Sequence, residues 1–141
     1  MAHVRYESGN EHNPTDPFGR VTLEVESDGE VRLARHSRYR DEAWTARVGP
    51  GFLDNLAGAL RTAGFPTAPS IMPRPDEPLR DLRVGGPSAG SVLLPWYAVS
   101  KLPGYAEAFA LLDGLVAQVT GLDLRVTPLE PPATDIVRVG S

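Results

Sequence analysis

The stretch VTLEVESDGEVRL, residues 21–33, decides the fold of this chain. Aliphatic side chains alternate with polar ones on both sides of a central glycine turn, which is the period of a strand with one buried face. A three-residue loop over residues 27–29 sets Val25 opposite Val31, whereas a two-residue loop would set Val25 opposite Arg32 and mix the faces. We therefore predict an antiparallel hairpin with a three-residue loop, whose glycine adopts the left-handed conformation.

Similar patterns predict the other elements of the fold. Further strands are expected around residues 4–6, 42–48, 82–84 and 91–99, and two helices over 50–63 and 103–120. Strands and helices in this order predict an α+β domain, with a mainly antiparallel sheet of about five or six strands and both helices packed on one face.

The chain of 141 residues is expected to form a single domain over residues 1–141, long enough to bury its own core. Two parts of it are expected to lie outside the regular elements. One is a proline-rich surface segment at 66–78, which holds five prolines and should be extended and stiff. The other is an extended C-terminal tail at 122–141, which carries two short β-prone pieces separated by prolines.

Composition argues against several functional classes. No cysteine is present, so disulfides and thiolate chemistry are excluded. A formal charge of −4 does not favour nucleic-acid binding, and no apolar run approaches the ~20 residues that a membrane span needs. The first ten residues lack the apolar core of a secretory signal, so a cytoplasmic location is expected. The preference for arginine over lysine, with abundant alanine, glycine and proline, is typical of a GC-rich bacterial genome.

No coherent catalytic or metal-binding set emerges from the motifs. The stretch GPSAG, residues 86–90, matches the G-x-S-x-G pattern of a nucleophile elbow, but that elbow needs a helix after the serine, and a strand is predicted there. All three histidines precede this serine, and no two of them have the i, i+4 spacing of a helical metal site. The sequence therefore predicts no catalytic residue, no metal site and no cofactor.

The first candidate interface is the basic stretch RLARHSRYRDE, residues 32–42. Arg38, Tyr39 and Arg40 lie at its centre, and arginine and tyrosine are enriched in protein interfaces. The alternative is a solvated hairpin face whose positive charge is neutralised by neighbouring carboxylates.

The second candidate is the proline-rich segment at 66–78. A stiff loop loses less conformational entropy when it docks, so this one could present Ile71 and Met72 to a partner. The alternative is a surface crossover between a helix and the sheet.

The third candidate is LLPWYAVSKLPGY, residues 93–105. Pro95 cannot donate to a sheet ladder and so predicts an edge position or a bulge. Trp96 and Tyr97 should then point to opposite faces of the predicted strand, one into the core and one outward. The alternatives are an exposed aromatic anchor in an interface, or only the end of a strand and the start of a helix.

Two stretches carry a resemblance to known proteins: LEVESDGEVRL at residues 23–33 and WTARVGPGFLDNLAGALRTAGFP at residues 44–66. They resemble a loose group of small bacterial domains that includes uncharacterised actinobacterial proteins, and their arrangement is similar to that of emfourin-like protease inhibitors. The resemblance covers roughly residues 20–120 and is carried by a turn, a helix cap and core positions. It implies a small binding or inhibitory module and assigns no inhibitory residue.

These observations favour a non-enzymatic cytoplasmic protein that binds another protein, as an inhibitor or immunity protein for a toxin or hydrolase. An alternative is an enzyme or small-ligand binder with a pocket lined by Trp44, Trp96 and Tyr97, and with His36 or Asp81 as its polar group. A third hypothesis is a structural subunit that self-associates through a sheet edge.

Overall fold

A computed structural model describes residues 3–9, 19–37, 41–72, 79–86, 89–121 and 132–140. Within these ranges the chain forms one antiparallel sheet of seven strands, two long helices and one short helix. The elements are β1 (His3–Gly9), β2 (Arg20–Glu26), β3 (Glu30–His36), β4 (Asp41–Arg47), α1 (Pro50–Ala63), β5 (Leu79–Val84), β6 (Gly90–Pro95), α2 (Trp96–Val99), α3 (Tyr105–Thr120) and β7 (Thr134–Gly140). The predicted α+β class is confirmed, with a somewhat larger sheet than expected.

The strand order is β6-β5-β1-β2-β3-β4-β7, and every neighbouring pair is antiparallel. The first strand of the chain therefore lies near the middle of the sheet, between β2 and β5. The two strands at the ends of the sheet are β6 and β7, which come late in the chain.

The β2–β3 hairpin has the predicted three-residue loop. Val25 pairs with Val31, and Gly29 is left-handed with a φ of 91°. A Cβ atom on Gly29 would lie 2.2 Å from the carbonyl oxygen of Val48, so this turn needs glycine for space as well as for conformation. The hairpin therefore follows from the alternation of apolar residues together with one glycine.

The core lies between one face of the sheet and the two long helices. Apolar side chains alternate along each of the strands β1–β6 and point to this covered face, where Tyr6, Leu23 and Leu33 are almost completely buried. From the helices, Leu56 of α1 and Phe109 of α3 are buried against them. Burial of each such side chain contributes about 1.5–3 kcal/mol, so this layer supplies most of the stability.

Two predicted elements differ from the structure. The strand expected over 91–99 ends at Pro95, and residues 96–99 form the short helix α2 instead. Proline has no N–H to continue the ladder, and its φ of −68° places it at the cap position before α2. In the tail, residues 134–140 form β7, which pairs with β4, while residues 122–131 lie outside the described residues.

None of the helices in the described part of the chain is both long enough and apolar enough to cross a membrane.

Candidate protein interface

Three polar side chains meet under α3, on the covered face of the sheet. The Tyr6 hydroxyl donates to Asp113 Oδ1 at 2.8 Å. Arg80 Nη1 donates to Asp113 Oδ2 at 2.7 Å and to the Tyr6 oxygen at 2.6 Å. The side chains of Arg80 and Asp113 are only 9% and 11% exposed, so each buried charge depends on the other.

The sequence places these side chains in the core through the periods of its strands and helix. Arg80 alternates with Leu82 and Val84 along β5 and therefore points to the covered face. Asp113 follows Phe109 by about one turn of α3 and lies on the same buried side. We did not predict this cluster, because charged residues in a strand or helix are usually assigned to the solvent face. The spacing of Arg80 and Asp113 within apolar patterns is the signal that would have found it.

The surroundings of Tyr6 keep its hydroxyl protonated. Burial raises the pKa of Tyr6 far above its ordinary value of 10.0, and the negative charge of Asp113 raises that pKa further. The Arg80 guanidinium opposes both effects without cancelling them. The hydroxyl therefore remains a hydrogen-bond donor to Asp113 at any physiological pH.

Trp96, the first residue of α2, covers the outer side of this cluster. The Arg80 guanidinium carbon lies 3.8 Å from the centre of the indole ring, which is the geometry of a cation–π contact. The same carbon lies 5.3 Å from the ring centre of Phe109. Arg80 therefore connects Trp96 at the surface to Asp113 in the core.

This arrangement can hold a large aromatic side chain in one orientation at the protein surface. Trp96 remains 36% exposed although one face of its ring rests on Arg80. Leu93, three residues earlier on β6, is 60% exposed and lies opposite Asp81. Leu93 faces the uncovered side of the sheet, whereas Trp96 packs over Arg80 on the covered side; we refer to these two residues at the end of β6 together as the β6-edge surface. A side chain that is already ordered saves about 0.5–1.5 kcal/mol of entropy when a partner binds.

The predicted interface residues differ in how exposed they are in the structure. Trp96 is partly exposed, and Met72 is largely exposed. Ile71 packs against the core and is only partly accessible. Tyr97 belongs to α2, but its side chain lies outside the described residues, as do Arg38, Tyr39 and Arg40. Because Trp96 begins a helix, it does not alternate with Tyr97 across the sheet as predicted.

The structure does not bring the two tryptophans together. Trp44 is buried on β4, whereas Trp96 rests on Arg80 of β5, and four strand spacings of ~4.8 Å separate these strands by ~19 Å. His36 and Asp81, which were proposed as polar groups of a pocket between these tryptophans, lie on the uncovered face of the sheet. There His36 Nδ1 is 2.9 Å from Asp41 Oδ1, and Asp81 pairs with an arginine on its own strand.

The uncovered face of the sheet carries ion pairs and a shallow depression. Arg32 pairs with Glu26 at 2.8 Å, and Arg5 pairs with Glu7 at 2.7 Å. The depression has a volume of about 290 Å³ and is open to solvent. Its lining residues are Thr22, Glu24, Arg32, Leu33, Ala34, Ala43, Trp44, Thr45 and Val139. The charged residues of the depression, Glu24 and Arg32, already pair with neighbours on the sheet, and the lining between them is mainly apolar.

Among the residues that the structure describes, no three histidine, aspartate or glutamate side chains are grouped closely enough to hold a metal ion.

No protein-family model and no curated protein sequence matches this chain. The similarity to emfourin-like inhibitors therefore stays a prediction from the residues that carry it.

Proposed function

We propose that this protein is a non-enzymatic module that binds another protein through the β6-edge surface and blocks it, as an inhibitor or immunity protein blocks a toxin or hydrolase. The observation that carries the proposal is the support of Trp96 by a buried charge pair. Its indole rests on Arg80, and Arg80 is held by Asp113.

Tryptophan is among the residues that contribute most to binding free energy when a partner covers them. An exposed indole on a flexible segment would have to be ordered on binding. Trp96 is instead attached to the core through Arg80 and follows directly from a sheet strand. The proposal assigns to Trp96 the central contact, with Leu93 as a second apolar contact on the other face of the edge strand.

The geometry of β6 favours contact through side chains rather than through an added strand. Pro95 closes the strand and cannot donate a backbone hydrogen bond, and the chain turns into α2 directly after it. Leu93 and Trp96 remain exposed at this end of the sheet. A partner would therefore have to enclose the end of β6 and receive these two side chains from opposite faces of the sheet.

Affinity capture from a lysate of the source organism tests the proposal, with wild type and two lysine variants as bait. Leu93→Lys places a charge in the β6-edge surface. Val139→Lys is the matched control, because Val139 is a similarly exposed aliphatic residue (58% against 60%) on the strand at the far end of the sheet. We expect wild type and Val139→Lys to recover the same stoichiometric protein, and Leu93→Lys to lose it.

The activity of the recovered protein distinguishes inhibition from simple binding. If that protein is a toxin or hydrolase, its activity should fall as wild-type protein is added and should not fall with Leu93→Lys. Recovery of the same protein by both lysine variants would exclude the β6-edge surface. Recovery of no specific protein by wild type would contradict the binding function itself.

A further inference from the structure

We infer that β7 forms a second interface, at which two copies of this chain pair edge to edge in a two-fold symmetric dimer. This inference does not depend on the proposed function, because it concerns the opposite end of the sheet. It rests on the exposure, the charges and the self-complementary register of β7.

The outer edge of β7 has the properties of a strand that pairs with another strand. β7 is the last strand of the sheet, and no strand in the described part of the chain lies on its outer side. An edge of this kind exposes backbone N–H and C=O groups that can hydrogen-bond to a further strand. Ile136, Val137 and Val139 are exposed along it, so a neighbouring strand would also bury apolar area.

The basic side chain of β7 does not oppose such pairing. Proteins often block an exposed edge with a charged side chain that resists burial. The cation of β7, Arg138, is paired: its Nη2 lies 3.3 Å from Oε2 of Glu42 on β4. Glu42 is almost completely buried and also accepts a hydrogen bond from Arg35 at 3.2 Å. The charge of Arg138 is thus already neutralised within its own sheet.

The order of residues in β7 favours one antiparallel register. When the two-fold axis passes through Val137, that residue meets its own copy and Ile136 lies opposite Arg138, whereas Asp135, which is left-handed with a φ of 53°, falls outside the regular pairing. No like charges then stand directly opposite each other. A register centred on Arg138 would instead place two guanidinium groups together, and like charges directly opposite destabilise a strand pair.

The other end of the sheet lacks these properties. β6 ends in a proline, which interrupts the row of backbone donors, and the chain then turns into α2. Leu93 of β6 nevertheless has nearly the same exposure as Val137, at 60% against 52%. The two edges therefore form a matched pair for a test of strand pairing.

Sedimentation velocity over a wide concentration range tests the inference on the purified 141-residue chain. Wild type and Leu93→Lys should both show a concentration-dependent monomer–dimer equilibrium. Val137→Lys places two ammonium groups opposite each other across the axis, so its dimer dissociation constant should rise at least ~10-fold. Ile136→Lys would place a lysine opposite Arg138 of the other copy, so it should weaken the dimer as well. It replaces Val137→Lys if that variant folds poorly.

A wild-type protein that stays monomeric at every concentration would overturn the inference. So would lysine variants of β7 that dimerise as tightly as wild type while keeping its circular dichroism spectrum. A strand from an unrelated partner on this edge would appear as a monomeric wild type whose partner capture is lost in Val139→Lys, and this also counts against the dimer. Loss of capture in Leu93→Lys with the dimer retained would show that the two interfaces are separate.

Discussion

Asp113 and Arg80 form a buried ion pair, so removing only one of its two charges should destabilise the fold strongly. Asp113→Asn removes the carboxylate and leaves the buried Arg80 guanidinium without its counter-charge. We expect this variant to lose about 3 kcal/mol of unfolding free energy, measured by denaturant titration at pH 7.

The double variant Arg80→Met/Asp113→Leu is the control for this prediction. It removes both charges together, but it also leaves the buried Tyr6 hydroxyl without Arg80 and Asp113, so only part of the lost stability should return. A single variant Asp113→Asn that costs less than about 1 kcal/mol would show that the pair contributes little to stability.

Tyr6 should make the protein sensitive to alkaline pH. Its pKa is raised in the folded state by burial and by Asp113, so the unfolded chain loses this proton first, near the ordinary pKa of 10.0. The stability from protonated Tyr6 is therefore complete below pH 10 and is lost as pH rises above it.

Tyr6→Phe tests this pH dependence. The variant should be about 1–2 kcal/mol less stable at pH 7, because its partners lose a buried hydrogen bond. Its stability should nevertheless fall less steeply than that of wild type above pH 10. Tyr105, whose pKa is also raised by burial, should leave a residual slope in both proteins. Equal slopes in denaturant titrations from pH 7 to 11 would contradict the assignment.

At the scale of elements, substitutions at Gly29 and Gly64 can separate the conformational cost of a side chain from its steric cost. Both residues are left-handed, with φ of 91° and 82°. A Cβ on Gly29 would meet the Val48 carbonyl oxygen at 2.2 Å, whereas one on Gly64 would have no neighbour within 4 Å.

We therefore expect Gly64→Ala to cost about 1 kcal/mol, the conformational penalty alone. Gly29→Ala should cost at least ~1–3 kcal/mol more, because the hairpin has to shift away from Val48. Differential scanning calorimetry of the two variants measures the difference. Equal losses would mean that the loop relaxes without resistance.

The elements of this fold differ in how far their own residues define them. The β2–β3 hairpin could be predicted in its register because both faces and the turn are encoded within residues 21–33. The prediction of a strand over 91–99 was wrong beyond Pro95, since the apolar residues after the proline fit a strand and a helix equally well. The pairing of β7 with β4 joins residues far apart in the chain, and no local pattern encodes such a contact.

The same limit applies to the candidate site. Trp96 stands in a stretch whose composition left open an aromatic anchor or only a strand end followed by a helix, and Leu93 was not among the predicted interface residues. The support of Trp96 by Arg80 could not be predicted, because it requires the strand order and the helix α2. The alternation of Arg80 with Leu82 and Val84 would have indicated a buried arginine, but not its partner on α3.

At the scale of the whole molecule, the sheet separates two surfaces. The order β6-β5-β1-β2-β3-β4-β7 places six strand spacings, ~29 Å at ~4.8 Å each, between the β6-edge surface and the edge of β7. A dimer formed through β7 would therefore leave both copies of Trp96 at its outer ends. Such a dimer would present two equivalent sites for the proposed partner.

The most direct test of the binding function is titration calorimetry of Trp96→Ala against the purified partner, beside wild type and Val139→Lys. The account predicts a loss of at least ~2 kcal/mol for Trp96→Ala, or ~30-fold in affinity, with Val139→Lys close to wild type. Denaturant unfolding of Trp96→Ala must show a folded protein for the comparison to hold. An affinity within ~3-fold of wild type for folded Trp96→Ala would contradict the account.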